Sequence, residues 1–252
     1  MKNESAGDLG ESIGRAAEAL RKARHVCVLT GAGISAESGI PTFRDALTGL
    51  WANFSPEELA TPEAFARDPE TVWSWYEWRR ELIRHAQPNP GHYALAALSA
   101  RVPRLTLVTQ NVDGLHQRAG SPDVLEYHGN ILRDRCTIEQ IVADRSEDAR
   151  AGLPRCAACG GLLRPDVVWF GEPIPAEPML SAAAAAEDCD VFLSVGTSSL
   201  VYPAAGLAEV ALRRRATVVE INPNETDLSP HAELVLRGPS GQVLPALLQR
   251  MG

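Results

Sequence analysis

Short apolar runs alternate with segments of helical spacing along most of the chain. The apolar runs, each of a length that suits one buried strand, occur at residues 25–30, 105–108, 191–195 and 217–221. Apolar side chains recur at helical spacing over residues 11–23, 91–100 and 203–215. Strands that alternate with helices in this way predict an α/β fold built on a doubly wound, mainly parallel sheet.

Two segments interrupt this alternation. Residues 41–90 are rich in Trp, Pro and charge, and residues 133–167 hold three of the five cysteines. Neither segment has the pattern of a strand–helix unit, although residues 72–84 predict one helix. We therefore predict that these two insertions form a small domain. The large domain is then expected to comprise residues 1–40, 91–132 and 168–252.

The net charge and the N-terminal residues indicate which kinds of partner and which cellular location to expect. The 252 residues carry a formal net charge of −8, which disfavours non-specific attraction to nucleic acid or anionic lipid because both require a positive surface. The first ten residues show no secretory signal, and no run approaches the ~20 apolar residues of a membrane span. We expect a cytoplasmic monomer that binds neither nucleic acid nor membranes.

The first apolar run ends in a glycine-rich turn. Gly31, Ala32 and Gly33 resemble a dinucleotide-binding turn, in which glycines let the backbone approach a pyrophosphate. The same residues also suit a tight turn that binds nothing. A hydride-transferring dehydrogenase would place an acidic residue at a strand end roughly 20 positions later, whereas residues 38–45 read as a loop with an aromatic and a cation. We infer that any dinucleotide is held in a different way.

Longer matches extend along the chain in a fixed order. The segments that carry them are residues 31–44, 109–116, 126–130, 167–172, 196–198 and 221–222. Together they resemble the motifs of the sirtuin family over about residues 20–250. The resemblance implies a Rossmann-like large domain, a smaller helical and zinc-ribbon-like lobe, and NAD-dependent removal of acyl groups from protein lysines. The products would be free lysine, nicotinamide and O-acyl-ADP-ribose.

The resemblance also implies roles for individual residues. His128 would be the general base, since an imidazole accepts a proton near neutral pH, and Asn111 and Asp113 would face the nicotinamide amide. A lone histidine is more often structural, and the other two residues also suit a turn after a strand. The full set expected to contact NAD is Gly31, Ala32, Gly33, Ser35, Glu37, Thr42, Phe43, Arg44, Trp51, Gln110, Asn111, Val112, Asp113, His128, Gly196, Thr197, Ser198, Asn222, Pro223, Asn224 and Ser240.

A second set is expected to bind the acylated lysine. The resemblance implies that a peptide adds as an extended strand beside Val168, Trp169, Phe170, Gly171 and Glu172. Tyr76 and Arg79 share a helix face, so a phenol and a guanidinium can grip a carboxylate together. That pair predicts succinyl or malonyl groups as substrates, and the alternative is a solvated arginine beside a packed tyrosine. Ala46 would form the pocket floor, in a loop one residue longer than is usual.

The cysteine segment resembles a zinc site with one departure. Cys156 and Cys159 have the spacing of one half of such a site, and Cys136 lies upstream at a suitable distance. Glu139 stands where the family has its fourth cysteine. The sequence therefore leaves two alternatives, a structural zinc held by three thiolates and a carboxylate, and an empty or labile site. Cys27 and Cys189 are expected in the core.

Two other functions remain open at this stage. An ADP-ribosyltransferase would use the same cofactor chemistry with a different acceptor. A non-catalytic NAD-binding module would need no base, so the presence of His128 with Asn111 and Asp113 speaks against it.

Overall fold

Two sheets and ten helices are found in the computed structural model, which describes residues 6–41, 55–144 and 152–252. The described elements are α1 (Ala6–Lys22), β1 (Val26–Thr30), α2 (Ala32–Ala36), α3 (Pro56–Leu59), α4 (Pro62–Arg67), α5 (Pro69–His85), α6 (Pro90–Ser99), β2 (Leu105–Thr109), α7 (Leu115–Arg118), β3 (Val124–Glu126), β4 (Gly129–Cys136), β5 (Val142–Asp144), β6 (Leu163–Val167), α8 (Ala176–Asp188), β7 (Val191–Val195), α9 (Gly206–Arg213), β8 (Thr217–Asn222), β9 (Leu234–Arg237) and α10 (Ser240–Met251). Across these residues every helix is too short or too polar to cross a membrane.

The larger sheet confirms the predicted doubly wound topology. Its six strands are parallel and follow the order β3-β2-β1-β7-β8-β9. The chain therefore builds outward from β1 in one direction and from β7 in the other. Ligands of such sheets bind where the strand order reverses, beyond the carboxyl ends of the strands. The switch point here lies between β1 and β7.

Alternate residues of β1 enter two different core layers. Val26 and Val28 pack with α1, α6 and α10 on one face, while Cys27 and Leu29 pack with α8 and α9 on the other. Successive side chains of a strand point to opposite faces, so a strand buried on both faces is apolar throughout. Cys189 joins the second layer, so both cysteines predicted in the core are buried there.

The two insertions share a third core beside the smaller sheet. This antiparallel sheet has the order β5-β4-β6. Trp75 and Tyr76 of α5 pack in one cluster with Ile131 of β4 and with Trp169, which follows β6. The predicted boundary between residues 132 and 133 falls inside β4.

Helix α5 is fixed in its rotation by a buried arginine that the sequence pattern did not reveal. Arg80 is fully buried, and its Nε donates to the carbonyl of Ile131 at 2.5 Å while Nη2 donates to Asp134 Oδ1 at 2.5 Å. A buried charge is tolerated when it is paired and hydrogen-bonded in this way. At the helix end, Arg118 donates to the carbonyls of Ile83 and Ala86.

Candidate active site

A cleft of about 670 Å³ opens at the switch point of the large sheet. The loops after β1, β2, β7 and β8 form one wall, and α5 with the loop after β6 forms the other. The predicted residues that line it are Gly31, Ala32, Gly33, Ser35, Tyr76, Arg79, Gln110, Asn111, Val112, Asp113, His128, Val168, Trp169, Phe170, Gly171, Glu172, Gly196, Thr197, Ser198, Asn222 and Asn224. The sheet topology thus brings together residues that are up to 193 positions apart in the chain.

The other eight residues predicted to bind NAD or the acylated lysine fall into two groups. Thr42, Phe43, Arg44, Ala46 and Trp51 lie outside the described residues. Glu37, Pro223 and Ser240 are described and do not line the cleft.

Glu37 and Ser240 bond to each other instead. The Glu37 carboxylate accepts from Ser240 Oγ at 3.1 Å and from the Gly241 N–H at 2.8 Å. Helix α10 follows Pro239, which offers no side-chain cap, so this carboxylate satisfies an N–H at the helix start.

The glycines of the first turn allow two strand ends to touch. The Gly33 N–H donates to the Gly196 carbonyl at 2.7 Å, and a Cβ on Gly33 would lie 2.7 Å from that same oxygen. Gly196 also has a φ of +59°, a conformation that glycine adopts without steric cost. The turns after β1 and β7 therefore pack backbone to backbone and leave a bare main-chain surface toward the cleft.

A buried hydrogen-bonded network holds the polar residues that follow β2. Ser35 Oγ donates to Asp113 Oδ2 at 2.7 Å and accepts from Asn111 Nδ2 at 3.0 Å. The Leu115 N–H donates to the other Asp113 oxygen at 2.9 Å. Burial raises the pKa of Asp113, and these bonds oppose that rise. The network fixes an amide and a carboxyl group side by side at the cleft.

Two buried histidines behind this network were not identified from the sequence. Burial lowers the pKa of His92 to about 4 and that of His116 to about 3, so both are neutral at pH 7. His92 Nδ1 accepts from the Asn89 N–H in the capping box of α6, and His116 Nε2 bonds Thr30 Oγ1 at 2.9 Å. The capping pattern of residues 89–92 was the available signal.

His128 is oriented by a main-chain acceptor. Its Nδ1 donates to the carbonyl of Gln110 at 3.0 Å. A carbonyl only accepts, so Nδ1 carries the proton and Nε2 of the neutral ring keeps its lone pair. Burial lowers the pKa of His128, and the Gln110 bond partly opposes this shift. The imidazole is thus neutral at pH 7, with the Nε2 lone pair available to accept a proton.

The predicted acyl clamp lies on the opposite wall of the cleft. Tyr76 is buried, its hydroxyl accepts from Trp169 Nε1 at 2.8 Å, and burial raises its pKa to about 12. The guanidinium carbon of Arg79 lies 4.9 Å from the Trp75 ring centroid and 6.0 Å from that of Tyr76. Burial lowers the pKa of Arg79, although an arginine keeps its charge in proteins. A neutral phenol and a cation therefore sit together at the cleft.

Three thiols form a candidate metal centre away from the cleft. The sulfur atoms of Cys136, Cys156 and Cys159 lie within 4.8 Å of one another, and Cys136 accepts from the N–H of Glu139 at 3.3 Å. Three soft sulfur donors suit a structural zinc ion. Among the residues the structure describes, the group contains these thiols and not the Glu139 carboxylate. This geometry gives no support to Glu139 as the fourth ligand, since its backbone rather than its side chain meets the cluster.

We expect the chain purified without chelators to hold about one zinc ion and Cys159→Ser to lose it, because two thiolates are too few for a structural site. The melting temperature of the variant should fall, since metal binding contributes directly to the stability of such lobes. Metal analysis by mass spectrometry and thermal unfolding measure both effects. Cys189→Ser, which alters a cysteine outside the cluster, should keep its zinc. A metal-free wild-type protein with an unchanged melting temperature after chelation would contradict this expectation.

Comparisons with known proteins agree with this geometry. The family model described as the Sir2 family matches residues 31–203. The chain is 55% identical over 240 residues to an NAD-dependent protein deacylase of Methylococcus capsulatus, covering 92% of this chain and 94% of the relative.

Two solved structures are similar as well. One is the crystal structure of a Sir2 homologue–NAD complex, with a TM-score of 0.88 and 45% identity, covering 94% of this chain and 93% of that one. Another is Sir2Af2 bound to a myristoylated histone peptide, with a TM-score of 0.79 and 36% identity, covering 96% of each chain.

Proposed function

Because the chain belongs to the Sir2 family, we propose that it is an NAD-dependent protein-lysine deacylase that removes succinyl and malonyl groups, and acetyl groups as well. It would release nicotinamide and an O-acyl-ADP-ribose. The similar chain solved in complex with NAD supports NAD as the co-substrate. The similar chain bound to a myristoylated histone peptide supports an acylated peptide as the second substrate.

The observation that carries the proposal is the neutral His128 in the same cleft as Asn111 and Asp113. In the reaction, the acyl-lysine amide oxygen attacks the ribose carbon as nicotinamide leaves. A ribose hydroxyl would then lose its proton and attack the acyl carbon. The lysine amine would leave from that carbon with a proton, and water would add there and release the oxygen held by the first ribose carbon, which gives free lysine and O-acyl-ADP-ribose. His128 Nε2 is the acceptor for the hydroxyl proton, because its lone pair is free of the Gln110 bond and its pKa lies below the working pH.

Asn111 and Asp113 suit the departing nicotinamide. Its carboxamide offers one acceptor and two donor hydrogens, which an amide and a carboxyl group can satisfy. Both side chains are already anchored through Ser35, so little rotamer freedom remains to be lost on binding.

Tyr76 and Arg79 support the preference for acidic acyl groups. The Tyr76 hydroxyl accepts the indole N–H of Trp169, which leaves its own hydrogen to donate to a carboxylate. Arg79 adds the opposite charge, and a charge-assisted pair of donors recognises a carboxylate more strongly than neutral donors do. An acetyl group fits the same space but uses neither donor.

The products of the reaction test the proposed function. With adenylate-labelled NAD and succinyl- and acetyl-lysine peptides of one sequence, we expect nicotinamide and O-acyl-ADP-ribose in equal amounts, with faster turnover of the succinyl peptide. Mass spectrometry measures the deacylated peptides, and tracing of the label measures the O-acyl-ADP-ribose. Label retained on protein would indicate an ADP-ribosyltransferase instead, and cofactor binding without nicotinamide release would indicate a non-catalytic module.

A further inference from the structure

Arg164, on strand β6, bonds a residue that lines the cleft. Its side chain is only 11% exposed, and two of its nitrogens donate to the two Glu172 carboxylate oxygens at 2.5 and 2.7 Å. Nη2 also donates to the Val167 carbonyl at 2.7 Å. A bidentate arginine–carboxylate pair of this kind fixes geometry as well as charge. One arginine side chain thereby holds both ends of the loop between Val167 and Glu172.

The ring of Trp169 lies directly against this pair. The guanidinium carbon of Arg164 is 3.5 Å from the Trp169 ring centroid, a distance at which a cation stacks on an indole face. The Trp169 backbone N–H donates to Glu172 Oε2 at 2.8 Å. One face of the indole and its backbone are therefore held by the Arg164–Glu172 pair.

The N–H edge of the same indole contacts Tyr76 of the acyl clamp. Trp169 is 3% exposed, and its Nε1 donates to the Tyr76 hydroxyl. This bond decides which way the Tyr76 hydroxyl can donate, because the oxygen already accepts on one side. A continuous series of contacts thus runs from Arg164 through Trp169 to Tyr76.

We propose that Arg164 is a positioning residue for acyl selectivity: stacked on Trp169 and paired with Glu172, it holds the indole N–H on the Tyr76 hydroxyl and so aims that hydroxyl at the carboxylate of the acyl group. This inference rests on the proposed function. It assigns a role to a residue that need not touch the substrate. Glu172, expected from the sequence to meet the peptide, acts in this arrangement as the partner of Arg164.

The test compares two acyl groups on one peptide sequence. In Arg164→Met we expect the ratio of kcat/KM for desuccinylation to that for deacetylation to fall about fivefold, the effect of one misplaced hydrogen bond. Any common loss of peptide binding cancels in this ratio. Arg164→Lys keeps the charge without the planar fork, so its ratio should lie between those of Arg164→Met and the wild type. Equal losses for both peptides in Arg164→Met would overturn the proposal.

Two further variants make the result specific. Arg135 lies opposite Arg164 in the sheet register and pairs with Asp166, so Arg135→Met is the matched control and should keep the wild-type ratio. Trp169→Phe keeps a ring but removes the N–H donor. In that background Arg164→Met should leave the ratio unchanged, and a further fall would show that Arg164 acts by another route.

A structural readout separates this inference from the proposed function. In protein labelled with 5-fluorotryptophan, the ¹⁹F resonance lost in Trp169→Phe identifies Trp169, and Arg164→Met should shift that resonance while Arg135→Met does not. A wild-type protein that removes no acyl group would refute the proposed function. An unmoved Trp169 resonance would refute the positioning role whatever the activity.

Discussion

His128→Asn is expected to lower kcat/KM for deacylation by about 10²- to 10⁴-fold, the usual contribution of a positioned general base. Asparagine retains an N–H that can donate to the Gln110 carbonyl, so the local structure should persist while the proton acceptor is lost. Steady-state kinetics with a succinyl-lysine peptide measure the effect. His85→Asn, on the exposed end of α5, is the matched control and should keep full activity.

The step at which His128 acts gives this prediction a second measurement. The base is needed after nicotinamide has left, so His128→Asn should still exchange labelled nicotinamide into NAD when peptide is present. Loss of exchange in parallel with deacylation would place His128 in binding rather than in proton transfer.

The proposed role of His128 as the base also predicts the acidic limb of the pH profile, which a series of kcat/KM values for a succinyl-lysine peptide measures. Burial lowers the pKa of His128 below its ordinary value of 6.5, and the base is active only when neutral. Activity should therefore stay constant as the pH falls from 8 toward about 6.5 and decline only below it, as the ring gains a proton.

Arg79→Met is expected to lower the ratio of desuccinylation to deacetylation by at least about tenfold, since a hydrogen bond to a charged group contributes about 1.5–3 kcal/mol. Methionine fills similar space and can still pack on Trp75, so deacetylation should change little. The kcat/KM values for succinyl- and acetyl-lysine peptides of one sequence give the ratio. The loss should lie mainly in the KM for the succinyl peptide if the clamp acts in binding.

Arg84→Met serves as the control for Arg79→Met. Arg84 lies on the same helix, is exposed, and pairs with Glu81 at 2.9 Å. Its replacement alters the net charge equally, so any effect of overall charge on peptide binding appears in both variants. An unchanged ratio in Arg79→Met would refute the carboxylate clamp.

Much of the large sheet could be predicted because its strands are buried on both faces. A strand such as β7 is buried at every position, so its whole length reads as an apolar run. The convergence of the site followed from the same topology, since the carboxyl ends of parallel strands meet at one edge. Strands β3 and β9 at the two edges of the sheet were not predicted, because every residue of β3 and every second residue of β9 is only half-buried.

The buried charges could not be predicted in the same way. Glu220 lies in β8 and is 1% exposed, and its carboxylate accepts from two hydroxyls and from Arg237. Arg80 is stabilised by Ile131 and Asp134, more than fifty positions further along the chain, and Arg164 by Glu172, which lies beyond the end of its own strand. A local sequence pattern shows that a residue is charged but not which residue pairs with it. Such residues are therefore predicted to be exposed to solvent until the fold is known.

The Gln110 carbonyl that orients His128 has one more consequence. The acceptor belongs to the peptide backbone, so no single side-chain replacement removes it. The tautomer of His128 therefore depends on the backbone position at the end of β2 and not on a neighbouring side chain. A neutral carbonyl also gives an imidazolium less compensation than a carboxylate partner would. If His128 is the base, substitutions in the residues that pack around its ring would therefore change its pKa far more readily than changes to the Gln110 hydrogen bond would.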